Sequence, residues 1–138
     1  MLQVERLADE EYQHIVDTMP ILCVDLVLSD RNCKYLLVKR NNDPLKGKWW
    51  VPGGRVFKDE SLEEAAVRKA REELSLEITK PKLWGYHEYL LGEIHAVSFV
   101  FTIVVGDFAK IILDNQSSEW KLSEDLPDGF DIMPFLEF

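Results

Sequence analysis

The stretch Gly53–Leu76, GGRVFKDESLEEAAVRKAREELSL, decides how this chain is read. It sets two glycines ahead of a segment dense in carboxylates and arginines. Gly54 is followed six residues later by Glu60, then by Arg68, then by the adjacent pair Glu72 and Glu73. Pro52-Gly53-Gly54 predicts a tight turn with positive backbone dihedrals, where a ligand can come close to the main chain. The apolar run Trp49-Trp50-Val51 before it reads as a buried strand, so the order is strand, turn, helix. Ser61 is the predicted N-cap, and Glu64 completes a capping box. Glu60, Glu64, Arg68 and Glu72 recur at helical spacing along one face. Leu62, Ala66 and Ala70 form a narrow apolar stripe able to pack closely on a sheet. Charge patterns of this kind usually mark a solvated face laced with ion pairs. The fixed spacing from Gly54 to Glu73 sets this one apart. Two neighbouring carboxylates near a glycine carbonyl suit a hard cation that prefers oxygen ligands, and so a metal-diphosphate site.

That spacing resembles the signature of the Nudix hydrolases, matching its glycine at Gly54, its leading Glu at Glu60, its Arg at Arg68 and its Glu-Glu pair at Glu72 and Glu73. The resemblance implies cleavage of a nucleoside diphosphate linked to another group, with Mg²⁺ held by the helix carboxylates. Three positions depart from the pattern. Lys69 stands where it has Glu, Ser75 stands where it has Gly, and Ala70 is small for an aliphatic position.

Length and composition bound the remaining choices. The 138 residues are expected to form a single domain spanning 1–138, long enough for a proper core. A hydrophobic share of 46% with 30% charged residues is that of a soluble globular protein. The net charge of −9 argues against nucleic-acid binding, which needs a basic surface, and leaves a phosphate substrate dependent on local arginines and metal ions. The longest apolar run, Ala96 to Val105, is too short to span a membrane and reads as a core strand. Met1 to Glu11 is polar and acidic, so no leader is expected. Cys23 and Cys33 make no metal-ligand pattern, and Cys23 is expected to be buried and reduced. The cytoplasm is the expected compartment.

Along the chain, Leu7 to Thr18 reads as a helix ended by Pro20. Ile21 to Leu28 and Lys34 to Arg40 read as strands joined in a hairpin by a turn at Ser29 to Asn32. Asn41 to Lys48 is a loop. Beyond the helix Ser61 to Leu74, Lys82 to Leu91 and Ala96 to Gly106 are strands about a short turn at Gly92. Ser118 to Leu122 is a last strand, and Ile132 to Phe138 a short terminal helix or tail. Mixed strands around one central helix predict an α/β or α+β sandwich, which is also the fold the resemblance implies: a mixed sheet, a central catalytic helix and flanking helices.

Within the family the chain is most similar to the GDP-mannose mannosyl hydrolase group, from about Asp9 through Leu122. The segments carrying this are PILCVDLVLSD (20–30), YLLVKRNNDPLKGKWWVPGGRVFKDESLEEA (35–65) and the Gln116 region before Trp120. That group also lacks the Glu that Lys69 replaces. The resemblance implies water attack at the anomeric carbon of a GDP-sugar, releasing GDP and free sugar, and a homodimer with the segment before Pro20 packed on the partner. The carbonyl of Gly53, the carboxylate of Glu73 and the amide of Gln116 match positions that hold one Mg²⁺, with Mn²⁺ able to substitute. Arg40 and Arg55 match contacts to the diphosphate or sugar, for which a guanidinium fork is suited. Asp25 matches a carboxylate at the sugar end and leaving group; in an apolar strand it needs a partner. Arg68 matches a helix arginine, expected to orient Glu73. The implied catalytic set is therefore Asp25, Arg55, Arg68 and Glu72.

Two departures bear on the chemistry. Ser117 stands where that group has a general-base His, and serine has no proton affinity near neutral pH. Ala96 stands where a phosphate-contacting Tyr is expected, and the loop between the two later strands is shorter. His87, Glu88, His95 and Glu72 are the candidate substitute bases. Ordinary pyrophosphatase action, giving a nucleoside monophosphate and a sugar phosphate, and a non-catalytic nucleotide-sugar binding module are the alternatives.

Overall fold

The computed structural model describes residues 7–42 and 45–135. Its elements run α1 (Asp9–Thr18), β1 (Ile21–Ser29), β2 (Tyr35–Arg40), β3 (Trp49–Trp50), β4 (Gly53–Arg55), α2 (Leu62–Leu74), β5 (Lys82–Leu91), β6 (Ile94–Val104), β7 (Ser117–Ser123) and β8 (Met133–Pro134). The strands form one mixed sheet in the order β3-β2-β1-β6-β5-β8, with β4 added to β1 and β7 to β2. The fold is an α+β arrangement of a mixed sheet and two helices.

Strand β1 organises it. Its whole length pairs parallel to β6, from Ile21 opposite Ala96 to Ser29 opposite Val104. Its other edge is shared. Residues Cys23 to Asp25 pair antiparallel with β4, whereas β2 meets β1 only at Ser29 and Tyr35. The predicted hairpin is therefore splayed: β2 leaves β1 at once and pairs with β3 and β7. This wedge lets β4 enter beside β1. The β5–β6 hairpin turns at Gly92 as expected, with φ +57° there. The end of the chain differs from the helix or tail expectation, because Met133 and Pro134 add a short strand to β5 at Tyr86 and Gly85. Residues 136–138 of that prediction, and Asp43 and Pro44 of the predicted loop, lie outside the described residues. Among the described residues no helix is long and apolar enough to cross a membrane.

The period-two pattern of β1 divides the core. Val24, Leu26 and Leu28 join Leu36, Val38, Ala65, Ala66, Ala70, Leu74 and Phe101 beneath α2. Val27, Leu37, Val51, Val100 and Phe130 form a smaller cluster on the other face. Ala65, Ala66 and Ala70 are fully buried, so α2 lies close on the sheet with no bulk between. Leu62 of the predicted stripe is only half-buried, and Ala65 fills the inward position instead. Trp49 and Trp50 are likewise half-buried rather than buried.

Helix α2 is capped at both ends. Ser61 accepts from the Glu64 backbone N–H at 3.1 Å while Glu64 Oε1 accepts from the Ser61 N–H at 3.3 Å. At the far end Ser75 takes the left-handed conformation, φ 55°, and its N–H bonds back to Arg71. That geometry favours glycine, which is the residue the signature carries there.

Candidate active site

The seam between β1 and β4 positions the site. Gly53 lies opposite Asp25, and a Cβ at Gly53 would stand 2.4 Å from both Asp25 Oδ1 and the Val24 carbonyl. Among the described glycines positive φ falls on Gly47, Gly92 and Gly129, not on Gly53 or Gly54. The predicted left-handed turn at Pro52-Gly53-Gly54 is thus corrected: both glycines are extended strand. Glycine is required by close approach of neighbours, Asp25 against Gly53 and the Lys69 side chain against Gly54.

Asp25 faces away from α2 and is buried with 6% exposure. Its Oδ2 accepts from the Tyr89 hydroxyl at 2.8 Å, and that hydroxyl oxygen accepts from Trp50 Nε1 at 2.7 Å. Burial pushes the Asp25 pKa up to about 6, against the lowering pull of the Ser98 and Tyr89 hydroxyls and of His87 and Arg40. The same burial, with Asp25 beside it, raises the Tyr89 pKa, so the phenol stays a donor. Behind Tyr89 the His87 ring packs edge-on at 4.3 Å, with Nδ1 2.6 Å from the Asp131 carbonyl.

The carboxylates on α2 and in the loop before it are sorted by two cations. Arg68 Nε binds Glu60 Oε2 at 2.6 Å, Nη1 binds Glu72 Oε2 at 3.2 Å, and Nη2 donates to the Arg55 carbonyl at 2.9 Å. Its guanidinium also covers the Phe57 ring at 3.8 Å. Burial of Glu60 is outweighed by the Arg68 bond, and its pKa is lowered. Arg68 therefore ties the β4–α2 loop to the helix, which corrects the expectation that it orients Glu73. That task falls to Lys69, whose Nζ is 3.0 Å from Glu73 Oε1. Burial raises the Glu73 pKa, opposed by Lys69 and by the neighbouring Gly53 N–H.

Gly53, Glu73 and Gln116 line one small cavity of about 30 Å³, together with Arg40, Asn42 and Ser117. The Gln116 amide nitrogen donates to Asp114 Oδ2 at 3.1 Å, and its backbone N–H to Asp114 Oδ1 at 3.0 Å. Asp114 is in turn tied to the end of α2, its N–H bonding the Glu73 carbonyl at 3.2 Å. Among the described residues no cluster of three or more His, Cys, Asp or Glu could hold a metal. An ion here must take carbonyl and amide oxygens beside the one carboxylate. The donor set fits a hard cation, since the volume admits a single small occupant and a carboxylate has more lone pairs than Lys69 and Gly53 use.

Two larger pockets adjoin this cavity. One, of about 260 Å³, is lined by Asp25, Arg40, Trp50, Arg55, Tyr89 and Gln116 among others. The second, of about 420 Å³, is lined by Arg55, Arg68, Lys69, Glu72 and Gln116, with Tyr12 of α1 at its rim. Arg55 lies between them, its guanidinium 4.9 Å from the Phe57 ring and 5.7 Å from that of Tyr12. The fold thus brings together Asp25, Arg40, Gly53, Arg55, Glu72, Glu73 and Gln116. His87, Glu88 and His95 line neither pocket, and His95 Nε2 lies 3.9 Å from Glu88 Oε2. Cys23 is free and only partly buried, at the pocket wall, and burial pushes its thiol up to about 12.

Sequence reasoning missed Tyr89, Trp50, Asp114 and the placement of Lys69. Asp114, two residues before Gln116 with its side chain capping the turn, carried a local signal. Tyr89 carried none. It lies opposite Ala96 in the β5–β6 ladder, so a phenol enters from the neighbouring strand where the resemblance expects Tyr at Ala96.

The NUDIX domain family model matches residues 19–128. The chain is similar to the low-salt glycan biosynthesis protein Agl8 of Haloferax volcanii, 33% identical over 96% of this chain and 87% of that protein. It is also 35% identical to an ADP-ribose pyrophosphatase of Methanocaldococcus jannaschii, over 78% of this chain and 65% of that one. Among solved structures, a MutT Nudix hydrolase from Burkholderia pseudomallei superposes with TM-score 0.71 at 23% identity, covering 82% of this chain and 91% of that one, which shows the shared fold.

Proposed function

The chain belongs to the Nudix hydrolase family, and on that premise we propose that it hydrolyses a nucleoside diphosphate sugar with Mg²⁺, GDP-mannose or a related GDP-sugar, releasing GDP and free sugar by attack at the anomeric carbon. The observation that carries this reading is the convergence of Asp25, Arg40 and Arg55 on one pocket beside the Gly53–Glu73–Gln116 cavity. A polar, aromatic-walled recess adjoins a place for a cation, as a sugar adjoins its diphosphate. The relative named for glycan biosynthesis fits a substrate carrying an activated sugar.

In this reading Gly53, Glu73 and Gln116 hold Mg²⁺, or Mn²⁺ in its stead. Such an ion, when bound, supplies charge that screens the diphosphate. Arg40 and Arg55 bind the diphosphate oxygens by charge-assisted hydrogen bonds. Ser117 takes no proton, and Asp25 is the carboxylate in the sugar pocket. With a pKa of about 6 it is ionised at neutral pH, yet basic enough to take a proton from water. The C–O bond of the anomeric carbon then breaks and its electron pair leaves on the GDP oxygen. Trp50 and Tyr89 hold Asp25 in place. A homodimer, with α1 on the partner copy, belongs to the same proposal and draws on the absence of any buried residue in α1.

A second reading is attack at phosphorus, giving a nucleoside monophosphate and a sugar phosphate. The relative named ADP-ribose pyrophosphatase favours it, as does Glu72 at the wall of the larger pocket. Hydrolysis of GDP-mannose with Mg²⁺ in ¹⁸O-water, followed by ³¹P NMR, separates the two. Unlabelled GDP that disappears in Glu73→Gln supports carbon attack. Label in monophosphate products overturns it in favour of the second reading. Mg²⁺-dependent binding without turnover leaves only a binding module.

A further inference from the structure

Lys69 is a charged residue to which the proposed chemistry gives no part. It is 5% exposed, and its ammonium stands 3.0 Å from Glu73 Oε1 and 3.7 Å from Glu72 Oε2. Strand β4 makes room for it: a Cβ on Gly54 would lie 2.7 Å from Lys69 Cε and 3.0 Å from Nζ. A buried ion pair is a costly way to stabilise a helix, because desolvation offsets most of the attraction. The placement is nonetheless specific. Lys69 lines the larger pocket with Arg55, Arg68, Glu72 and Gln116, and does not line the small cavity of Gly53, Glu73 and Gln116. Glu73 stands between the two, facing the cavity on one side and the ammonium on the other.

Charge counting gives the consequence. With Glu at position 69, as in the Nudix signature, this turn of α2 would carry three neighbouring carboxylates. Here it carries Glu72 at the wall of the larger pocket and Glu73 at the small cavity, with a tethered cation already between them. Divalent-ion affinity follows the number and charge of the oxygen ligands, so this arrangement removes one ligand and adds a repelling charge. We propose that Lys69 is a built-in counter-cation that excludes a second divalent ion from Glu72 and Glu73 and restricts the chain to one ion, in the cavity of Gly53, Glu73 and Gln116. This rests on the metal assignment made above.

The test is the number of Mn²⁺ ions bound per chain in the substrate-free protein, from the electron paramagnetic resonance signal of free Mn²⁺ during titration. The wild type takes up one ion, and Glu73→Gln loses it. Lys69→Glu takes up two. Lys69→Gln removes the charge without adding a ligand; it gains the second ion more weakly and serves if Lys69→Glu does not fold. Two ions on the wild type, or one on both Lys69 variants, overturns the exclusion while leaving the metal site standing. No ion on the wild type overturns both. Absence of GDP-mannose turnover, with one ion on the wild type and two on Lys69→Glu, is a failure of the substrate reading alone.

Discussion

Tyr89 donates its hydroxyl to Asp25 Oδ2 at 2.8 Å, joining the C-terminal end of β5 to the middle of β1 across the intervening strand β6. The bond favours the ionised carboxylate, and it also fixes the phenol as the acceptor for Trp50. Tyr89→Phe removes both contacts. Asp25 loses a lowering influence, so the acid limb of the kcat/KM profile moves to higher pH. The half-buried Trp50 N–H loses its acceptor, which costs about 1–3 kcal/mol of stability. An acid limb that stays in place, measured with saturating Mg²⁺, would remove Tyr89 from the site.

Asp25 also sets a pH dependence of stability. Burial raises its pKa from 3.8 to about 6, so over that window the folded protein retains a proton that the unfolded chain has released. Stability is full below the lower value and is lost as pH rises through the upper one. The loss by neutral pH is about 3 kcal/mol, taking 1.36 kcal/mol per pH unit. Asp25→Asn still accepts from Tyr89 and has nothing to titrate. Its stability relative to wild type, from urea unfolding, rises by about 3 kcal/mol between roughly pH 4 and pH 7. A difference that is constant with pH would contradict the burial argument.

The two signature glycines should respond differently to alanine. A Cβ at Gly53 meets the Val24 carbonyl and Asp25, where backbone must move, whereas at Gly54 it meets the flexible end of Lys69. Gly53→Ala costs about 3 kcal/mol or more by overpacking and parts β4 from β1; Gly54→Ala costs about 1 kcal/mol and displaces Lys69. Equal losses in thermal melts would mean that the seam is looser than described.

Ser75 holds φ 55° at the C-cap of α2, a conformation that disfavours any Cβ. Ser75→Gly therefore stabilises by about 1 kcal/mol, raising Tm by about 3 °C. A lowered Tm would mean that the Ser75 hydroxyl contact to the Ile112 carbonyl, at 3.4 Å, outweighs the backbone strain.

Much of this was legible in the residues. The capping box at Ser61 and Glu64, the β5–β6 hairpin and the Gly54-to-Glu73 spacing are local signals, set by neighbours in sequence. Helix, turn and signature followed from them. What escaped was decided by residues brought together across the sheet. Nothing near Tyr89 announces that it will meet Asp25, and nothing near Ser29 shows that β2 will leave β1 to admit β4. The glycine pair was assigned the wrong reason for the same cause: crowding by Asp25 and Lys69 arises only once the strands are side by side. Arg68 and Lys69, adjacent in sequence, exchanged roles because a step of one residue turns a helix by about 100°.

Strand β1 holds Asp25 between Gly53 on one edge and Val100 on the other, and the second of these pairings is parallel. A parallel neighbour cannot be reached by a tight turn, so β1 must wait for a strand synthesised long after it. Loop-closure entropy is lost before that contact forms, and such topologies fold slowly. The pocket accordingly has no smaller folding unit that could assemble it early. A nascent or truncated chain ending before β6 can form α2 and its capping box, yet it leaves one whole edge of a carboxylate-bearing apolar strand open and prone to association.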